Sequence, residues 1–356
     1  MNLKKLIQFL LFLFFIKFLL FANNENQKDN NIKKEKLNIS NVITEHLGDS
    51  HEWLIINIMN KKISIPLPIV LWNNGFEFFT STAFFKSNVI KGKHGYYKMF
   101  SDKIYNTNKN GKLLIDKKGI PCNRKPLDFS MTKNVASIFL SSIILCFIFL
   151  KMKKRYKYNQ IRWKLGIFLE AIILFIRDEI AIPYIGKKKY KKFFPFLLTF
   201  FFFILINNIM GLIPNFPNVT GNINITLALS LIMFFVTNIN GSKSYWKHTF
   251  LMPNVPKLIK LILIPIELIG IFIRPFTLAI RLFANITAGH IIILSFICLI
   301  FIFKNIFAIG FSITFSLFIS ILEIMVSFLQ SFIFTTISAL LIGMSIKNYE
   351  KQIQQK

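Results

Sequence analysis

Residues 274–290 read Arg274-Pro-Phe-Thr-Leu-Ala-Ile-Arg281-Leu-Phe-Ala-Asn285-Ile-Thr-Ala-Gly-His290, and apolar residues continue on both sides of them. This segment places Arg281 among Leu, Ile and Phe, where an arginine costs ~2.5–3.5 kcal/mol even on insertion scales that give low values. Arginine cannot avoid this cost by losing its proton, because its pKa lies above ~12. A cation held in such a position favours a role in moving ions across a membrane.

The composition of the whole chain is that of a membrane protein with several spans. It has 356 residues, of which 53% are hydrophobic, and its mean hydropathy is +0.52. Several runs are long and apolar enough to cross a bilayer. The formal net charge of +28 would suggest nucleic-acid binding in a soluble protein. Here the lysines flank the apolar runs, so we interpret them as topology signals and expect no nucleic-acid partner.

Metal and cofactor sites are not indicated. The polar stretch from Glu45 to Glu52 contains His46 and His51, a spacing that matches no standard metal site. It is either a metal-binding segment or, as we favour, a solvated loop. The cysteines of this chain do not occur at the spacing of a paired motif, so they indicate neither a disulfide nor a metal centre. These cysteines are Cys122, Cys146 and Cys298.

The first 22 residues resemble an export signal. Two lysines precede an apolar run that extends to Phe21, and Ala22 offers a cleavage position. Lys17 interrupts the run, so the segment is either a cleaved signal peptide or a retained anchor. We therefore expect residues 23–133 to be exported across the cell inner membrane.

This exported region is polar and contains strand-like segments. Residues 53–59 and 63–72 are separated by an Asn-Lys-Lys turn, which predicts a hairpin. Pro66 and Pro68 would confine the second strand to a sheet edge. Asn110, followed by glycine, indicates a further turn. The residues do not indicate what this small region does.

Residues 134–356 form the predicted membrane domain, which is all-α with about five membrane helices. Short basic loops face the cytoplasm, and the positions of the basic clusters place the N-terminus outside and the C-terminus inside. Residues 160–182 are amphipathic and carry several charges, so we expect a helix along the membrane interface. The first three predicted spans are residues 135–150, 193–213 and 223–239.

Two long apolar runs follow, residues 257–303 and 307–346. As helices they would measure roughly 70 and 60 Å, about twice the hydrocarbon thickness. Each run either hides two spans or is one steeply inclined helix. Pro265 and Pro275 could only kink the first run, and Asn305 supplies the one obvious reversal. We predict a long, strongly tilted helical hairpin.

Polar residues on the first long run are regularly spaced. Glu267, Arg274 and Arg281 fall seven residues apart, which puts them in a narrow stripe that Asn285 continues. Arg274 either snorkels to the membrane surface or pairs with Glu267. Arg281 has no acidic residue one helical turn away, which argues against a structural ion pair.

On the second long run, Glu323 and Gln330 are also seven residues apart. A carboxyl group in so apolar a helix favours a functional role for Glu323. His290, near the end of the first run, either packs in the core or transfers protons.

The sequence Arg281-Leu-Phe-Ala-Asn285-Ile-Thr-Ala-Gly289-His290 resembles the signature of the a subunit of F-type ATP synthase. Asn207-Asn208-Ile-Met-Gly-Leu-Ile-Pro214 and Val326-Ser-Phe-Leu-Gln330-Ser-Phe-Ile-Phe resemble further segments of that family. The similarity covers roughly residues 130–346. The signal and the exported segment depart from the commonest short form and resemble an extended subgroup.

This resemblance implies a proton-channel stator of the F0 sector, which is not an enzyme by itself. Its implied partners are the c-ring, the b subunits of the peripheral stalk, the remainder of the F1F0 complex and membrane lipid. Two offset half-channels would meet at the ring, with Arg281 facing the ring carboxylate. The implied polar positions of the proton path are Glu267, Thr277, Asn285, His290, Glu323 and Gln330.

Many members of the family carry an acid at the position of His290 and a histidine at that of Glu323. The exchange keeps one acid and one imidazole together if the two side chains face each other.

Two other classes of protein remain as alternatives. A secondary transporter should show internal repeats and broken helices, and a membrane anchor would leave Arg281 unexplained.

Overall fold

The computed structural model describes residues 48–58, 61–116, 121–157, 164–213, 216–251, 256–303 and 305–346. The predicted signal segment, residues 1–22, and His46 lie outside these ranges. The chain divides into two compact units. The first, strand-rich unit comprises Met1–Phe139 with Ile213–Pro217, and the second, helical unit comprises Leu140–Leu212 with Asn218–Lys356. The predicted domain division at residue 133 stays a prediction.

The strands of the first unit form three small antiparallel sheets. One sheet is the predicted hairpin of β1 and β2, in which Trp53 lies opposite Ile65. The other two have the strand orders β4-β3-β8 and β5-β6-β7. The strands are Glu52–Ile58 (β1), Lys61–Pro66 (β2), Pro68–Trp72 (β3), Phe76–Thr80 (β4), Ile90–Lys91 (β5), Tyr96–Phe100 (β6), Lys103–Thr107 (β7) and Leu127–Asp128 (β8).

The second predicted strand, residues 63–72, is in fact two strands in different sheets. The chain leaves the hairpin at Leu67, whose N–H is held by the buried hydroxyl of Ser81 at 3.1 Å. The edge position predicted from the prolines is wrong for Pro68, because β3 is the central strand of its sheet. Pro68 is tolerated as the first residue of β3, where its carbonyl accepts the N–H of Met131 at 3.1 Å.

The core of the strand-rich unit lies between β3 and the β6–β7 pair. Ile69 and Leu71 pack there with Tyr97 and Ile104, and a short helix, Ser81–Lys86 (α1), contributes Phe84. The predicted turn at Asn110 is present, since Gly111 follows it with φ of 67° and donates its N–H to Asn108.

One carboxylate is buried in this core. Glu77 is 4% exposed and accepts the phenol of Tyr97 at 3.0 Å. It also accepts the backbone N–H groups of Lys93 and His94 at 3.2 and 2.7 Å. Gly92 passes so close to the carboxylate that a Cβ there would overlap it. Glu77 therefore fixes the loop before β6.

His51 does not belong to a solvated loop, and that interpretation is wrong for this residue. Its side chain is 6% exposed, and its Nε2 lies 3.0 Å from Oδ2 of Asp128. Burial opposes ionisation of Asp128, but hydrogen bonds from His51 and Ser130 outweigh it, and the pKa of this carboxyl lies below its usual value. The pair joins the start of β1 to β8.

The second unit is helical. Among the described residues, four helices are long and apolar enough to cross a membrane, and α6 with α7, bent by 98°, would supply a fifth. The prediction of about five membrane helices is confirmed. The helices are Lys133–Lys157 (α2), Lys164–Phe175 (α3), Ile182–Ile185 (α4), Tyr190–Gly211 (α5), Ile223–Ile239 (α6), Lys243–Leu251 (α7), Lys257–Phe303 (α8) and Ile306–Ile346 (α9).

Helix α5 is the most buried of the candidate spans. Its Phe201 and Phe202 pack in a cluster with α2, α3, α4 and the end of α9. On another side, Phe200 and Ile204 pack against Leu278 and Leu282 of α8. Helix α5 thus holds both long helices, and Leu278 and Leu282 fix which side of α8 faces inward.

The predicted interfacial segment is helical but not uniform. A π-helical turn, Ile176–Ala181, joins α3 to α4. Its Ile176 and Ile180 are buried in the α5 cluster, while Arg177 and Asp178 are exposed and form a bidentate ion pair. The alternation of buried and charged residues agrees with an amphipathic helix. Its location along the membrane surface stays a prediction.

From its lysines, the segment that follows the third span is predicted to be a basic loop. This prediction is partly wrong, because residues 243–251 form helix α7. The two long runs are each one continuous helix over the described residues, as predicted, and Pro265 and Pro275 do not interrupt α8. Close contact with the rest of the unit fixes the end of α9, where a Cβ on Gly343 would overlap the carbonyl oxygen of Tyr184. The inclination of α8 and α9 in the membrane stays a prediction.

Candidate functional site

The antiparallel pair of α8 and α9 brings His290 and Glu323 together. Nδ1 of His290 lies 3.5 Å from Oε1 of Glu323, and the two side chains are 13% and 3% exposed. Gly289 makes room for the carboxylate, since a Cβ at this position would lie 2.9 Å from Oε1. An acid and an imidazole therefore share one nearly enclosed position between the two helices.

Small hydroxylated residues line the buried side of α9 around Glu323. Ser327 and Ser331 donate to carbonyl oxygens one turn earlier, at 2.8 and 3.0 Å. Their short side chains let helices approach closely. Gln330 is 4% exposed on this side, two turns from Glu323.

Two serines between Glu323 and the hairpin turn differ from Ser327 and Ser331 in their hydrogen bonding. Ser312 and Ser316 are fully buried, and within the described part of the chain their hydroxyl oxygens have no hydrogen-bond partner. Buried polar groups of this kind are usually satisfied by water. They extend the polar side of α9 from Glu323 towards the turn at residue 305.

Arg281 lies on the opposite side of α8 from this pair. Its neighbours Leu278 and Leu282 are 3% and 1% exposed, whereas Arg281 itself is exposed. No carboxylate of the described ranges lies within 4 Å of its guanidinium. The charge therefore points away from the subunit's own core, among exposed apolar side chains.

Two further predicted positions share the exposed side of α8. Asn285, one turn after Arg281, is exposed, and so is Thr277, one turn before it. The hydroxyl of Thr277 donates to the carbonyl of Ile273 at 2.9 Å. Together with Arg281 these residues form an open polar surface, which we call the Arg281 surface (Thr277, Arg281 and Asn285).

Glu267 and Arg274 form a separate ion pair nearer the start of α8. Nη2 of Arg274 lies 3.8 Å from Oε1 of Glu267, and both side chains are partly exposed. Arg274 therefore pairs with Glu267, which was one of the arrangements considered for it. Arg274 also borders a small cavity between α6, α7, α8 and α9 that is lined by Thr237, Asn238 and Tyr245.

The predicted site residues thus lie in three places: the Glu267–Arg274 pair, the Arg281 surface, and the enclosed His290–Glu323 pair with Gln330. Roles for Gly289, Ser312 and Ser316 were not predicted from the sequence. A glycine inside a helix is unfavourable by about 1 kcal/mol relative to alanine, so Gly289 could have been noticed. Ser312 and Ser316 could have been noticed because they are four residues apart in an apolar run.

Comparison with known proteins finds two family models that match this chain. The model of a family described as ATP synthase A chain matches residues 135–343. A second model, described only as a domain of unknown function, matches residues 42–129. The first match covers the hairpin as far as residue 343 and includes every predicted site residue.

Several relatives are similar over the same region. The chain is 47% identical over 226 residues to ATP synthase subunit a of Chlorobium phaeobacteroides strain BS1, covering 61% of this chain and 66% of that protein. It is 45% identical over 227 residues to ATP synthase subunit a 2 of Prosthecochloris aestuarii, covering 61% and 69%. The corresponding protein of Myxococcus xanthus is 38% identical over 226 residues, covering 62% and 74%.

The matched region thus spans about two thirds of the length of these relatives. The family model covers more than half of this chain, and the resemblance drawn from the Arg281 segment is confirmed. The chain belongs to the ATP synthase A chain family.

Proposed function

We propose that this chain is the proton-channel stator of the F0 sector of an ATP synthase. It performs no nucleotide chemistry itself, and it couples proton movement to rotation of a c-ring and so to ATP synthesis. The observation that carries the proposal is the exposed Arg281 on an apolar side of α8. An isolated arginine is costly in lipid, so this surface requires a partner that offers negative charge.

A carboxylate on a rotating ring fits that requirement. Such a group must be neutral to pass through lipid and can ionise only where a cation and water receive it. Arg281 would stabilise the ionised carboxylate and would block direct proton flow along the surface. The exposed amide of Asn285 and the hydroxyl of Thr277 lie beside it and could orient the same carboxylate.

Polar groups lie on both sides of Arg281 along α8, as two offset half-channels require. His290 lies about 14 Å further along the helix, and Glu267 about 21 Å in the other direction. The lysines that precede α8 favour a cytoplasmic location for the start of this helix. His290 and Glu323 would therefore belong to the outer half-channel, and the Glu267–Arg274 pair to the inner one.

The His290–Glu323 pair is suited to relaying protons. Imidazole titrates near neutral pH, and the 3.5 Å separation allows a proton to pass directly or through one water. Ser312 and Ser316 would carry water from the outer hairpin turn to this pair, and Gln330 lies two turns beyond it. Each proton that crosses 100 mV supplies ~2.3 kcal/mol, which the ring converts into rotation.

The proposed partners are the c-ring, the b subunits of the peripheral stalk, the remainder of the F1F0 complex and membrane lipid. The proposed location is the cell inner membrane, with the N-terminal region outside and the C-terminus in the cytoplasm. No observation favours a secondary transporter, since α8 and α9 are unbroken over their described residues. A simple membrane anchor leaves Arg281 unexplained.

Replacing Arg281 tests the proposal. Arg281→Ala should abolish ATP-driven proton pumping and ATP synthesis in the reconstituted complex, because nothing then holds the ionised carboxylate. Copurification of the subunit with the ring should persist, since the side chain packs in no core. Ile280→Ala is the matched control, because Ile280 is also exposed on α8 and carries no charge; it should keep most of the pumping. Normal synthesis in Arg281→Ala would overturn the proposal.

A further inference from the structure

The β4-β3-β8 sheet has an unusual outer side. In β3, Ile69 and Leu71 are fully buried in the core, while Trp72 is 41% exposed on the other side. Phe76 and Phe78 of β4 are 58% and 73% exposed. A sheet with one core side normally carries polar residues on its open side. Here the open side carries large apolar residues, which mark an interaction surface.

These residues form one continuous surface. The rings of Trp72 and Phe76 are 4.5 Å apart, and those of Phe76 and Phe78 are 6.4 Å apart. Leu127 of β8 lies directly opposite Trp72 and is 61% exposed, and Phe129 is 64% exposed. We call this surface the aromatic face (Trp72, Phe76, Phe78, Leu127 and Phe129).

We propose that the aromatic face inserts into the lipid interface of the outer leaflet, beside the point where α2 enters the membrane. Only residues 129–132 separate β8 from α2, so Asp128 lies within roughly 18 Å of the start of the helix. Phe129, a member of the face, is itself part of this connection. The proposal rests on the proposed location of the N-terminal region outside the membrane, but it does not depend on the proton-channel role.

Hydrogen bonds hold the strand-rich unit against the first turn of α2. Lys133 donates its backbone N–H to the carbonyl of Ser50 at 3.0 Å, and Asn134 donates its N–H to the carboxylate of Asp49 at 3.4 Å. The carbonyl of Val70 in β3 accepts the N–H of Phe129 at 2.9 Å. Because both ends of the connection are tied, the sheet cannot move far from the membrane surface.

The chemistry of the surface favours lipid over a protein partner. Tryptophan is enriched at membrane–water interfaces, where its ring can lie between headgroups and acyl chains. Phenylalanine and leucine are typical of the apolar side of segments that lie in this interface. Arg124 and Lys125 are exposed immediately before β8. Residues 48–133 contain 14 Lys and Arg but only 6 Asp and Glu, an excess that anionic headgroups attract.

Insertion of the aromatic face would also fix other parts of the strand-rich unit. Trp53 of β1 packs edge-on against Phe216, with ring centroids 5.0 Å apart, and Phe216 lies in the connection between α5 and α6. The same unit therefore holds both the start of α2 and this connection. An anchored sheet would therefore hold the start of α2 and the connection between α5 and α6 beside the outer half of the membrane.

Fluorescence quenching by lipid tests the proposal on the full-length chain. The changes Trp53→Phe, Trp163→Phe and Trp246→Phe leave Trp72 as the single tryptophan. This chain is reconstituted into phosphatidylcholine–phosphatidylglycerol vesicles with bromine on the acyl chains near the headgroup. We expect blue-shifted Trp72 emission and at least a twofold loss of intensity relative to vesicles without bromine.

The matched control has all four tryptophans replaced and carries Lys109→Trp, on an exposed turn before Gly111. It should emit at the wavelength of tryptophan in water and be quenched little. Quenching of Trp72 no greater than that of the control would overturn the proposal. Blue-shifted emission without quenching would also overturn it, because a protein would then cover the face.

A second probe keeps the proposal testable if the tryptophan variant does not assemble. In a chain whose native cysteines are changed to serine, Phe78→Cys carries a nitroxide spin label. Collisions with oxygen should exceed those with a water-soluble nickel complex when the label lies in lipid. The reverse ratio would overturn the proposal.

Discussion

At the scale of the residue, the period of the helix decides where each polar group of α8 points. A residue advances 100° around an α-helix, so His290, nine residues after Arg281, lies on the opposite side. Arg281 is therefore presented outward while His290 faces α9. In the proposed function, this separation lets one helix present Arg281 to the ring on one side and His290 to Glu323 on the other.

Gly289→Ala should impair proton transfer because its new Cβ would lie 2.9 Å from the Glu323 carboxylate. Overpacking of this size costs about 1–3 kcal/mol, and relief would move the carboxylate away from His290. We expect a several-fold loss of ATP-driven pumping with assembly kept. Gly270→Ala is the matched control, since nothing lies within 4 Å of a Cβ there. Equal activity of the two variants would show that the close contact at Gly289 is unimportant.

Exchanging His290 and Glu323 should preserve more activity than changing either alone. Each single change leaves two acids or two imidazoles in an enclosed position, where like charges repel. The double change, His290→Glu with Glu323→His, restores one of each. Pumping rates of the four chains give a coupling free energy, expected at ~0.5–3 kcal/mol for groups in contact. Additive losses would contradict the proposed relay.

At the scale of the element, hydroxyl groups let α9 be both polar and tightly packed. The hydroxyl groups of Ser327, Ser331 and Thr335 donate to backbone carbonyl oxygens four residues earlier in α9. These three residues therefore leave no unsatisfied hydroxyl donor in the core. Small side chains on this side of the helix allow close packing of neighbouring helices. On α8, Gly289 leaves the space that the Glu323 carboxylate occupies beside His290.

The His51–Asp128 pair should stabilise the strand-rich unit at neutral pH but not in acid. The pKa of Asp128 is lowered in the folded state, so its contribution is present above the unfolded value of ~3.9 and is lost as pH falls through and below it. Asp128→Asn should remove about 1 kcal/mol at pH 7, after allowance for partial exposure.

Amide hydrogen exchange around β3 and β8 in the full-length protein measures this effect. The Asp128→Asn chain should exchange faster than the unchanged chain at pH 7, and the difference should shrink as the pH approaches 3. Ser50→Ala, which removes a hydroxyl that donates to the carbonyl of Glu52, is the uncharged control. A difference that does not depend on pH would contradict the role of the Asp128 charge.

At the scale of the whole molecule, α8 and α9 are longer than a bilayer is thick. A vertical helix of either length would expose many apolar residues to water, at about 0.8 kcal/mol for each CH₂. A strong tilt would keep these residues in lipid, and we expect it to lay the Arg281 surface along a partner over about two turns.

Labelling of single cysteines from each side of the membrane should reveal only one reversal in this region. In a chain whose native cysteines are changed to serine, Asn305→Cys should react with an impermeant thiol reagent only from outside. Pro256→Cys should react only from the cytoplasmic side. Reaction of Asn305→Cys from the cytoplasmic side would show four upright spans instead, because the chain would then have crossed the membrane twice between residues 256 and 305.

The sequence predicted the long hairpin, the spans and the family, because apolar runs and the Arg281 segment are local signals. It also predicted the pair formed by Glu267 and Arg274 as one of two alternatives. It did not predict the split of residues 63–72 into two sheets or the burial of His51. Both depend on partners far along the chain, Ser81 in the first case and Asp128 in the second.

The sequence by itself determined that the chain crosses a membrane, that its last two helices are unbroken, and that Arg281 needs an explanation. Hydropathy and helical period act over neighbouring residues, so one chain segment contains all the information they need. The family resemblance had already suggested that Arg281 faces a partner and that His290 faces Glu323, but only the tertiary structure decided the exposure of Arg281 and the 3.5 Å separation of the pair. Those outcomes depend on which side of α8 packs against α5 and α9, and packing is a property of helices brought together.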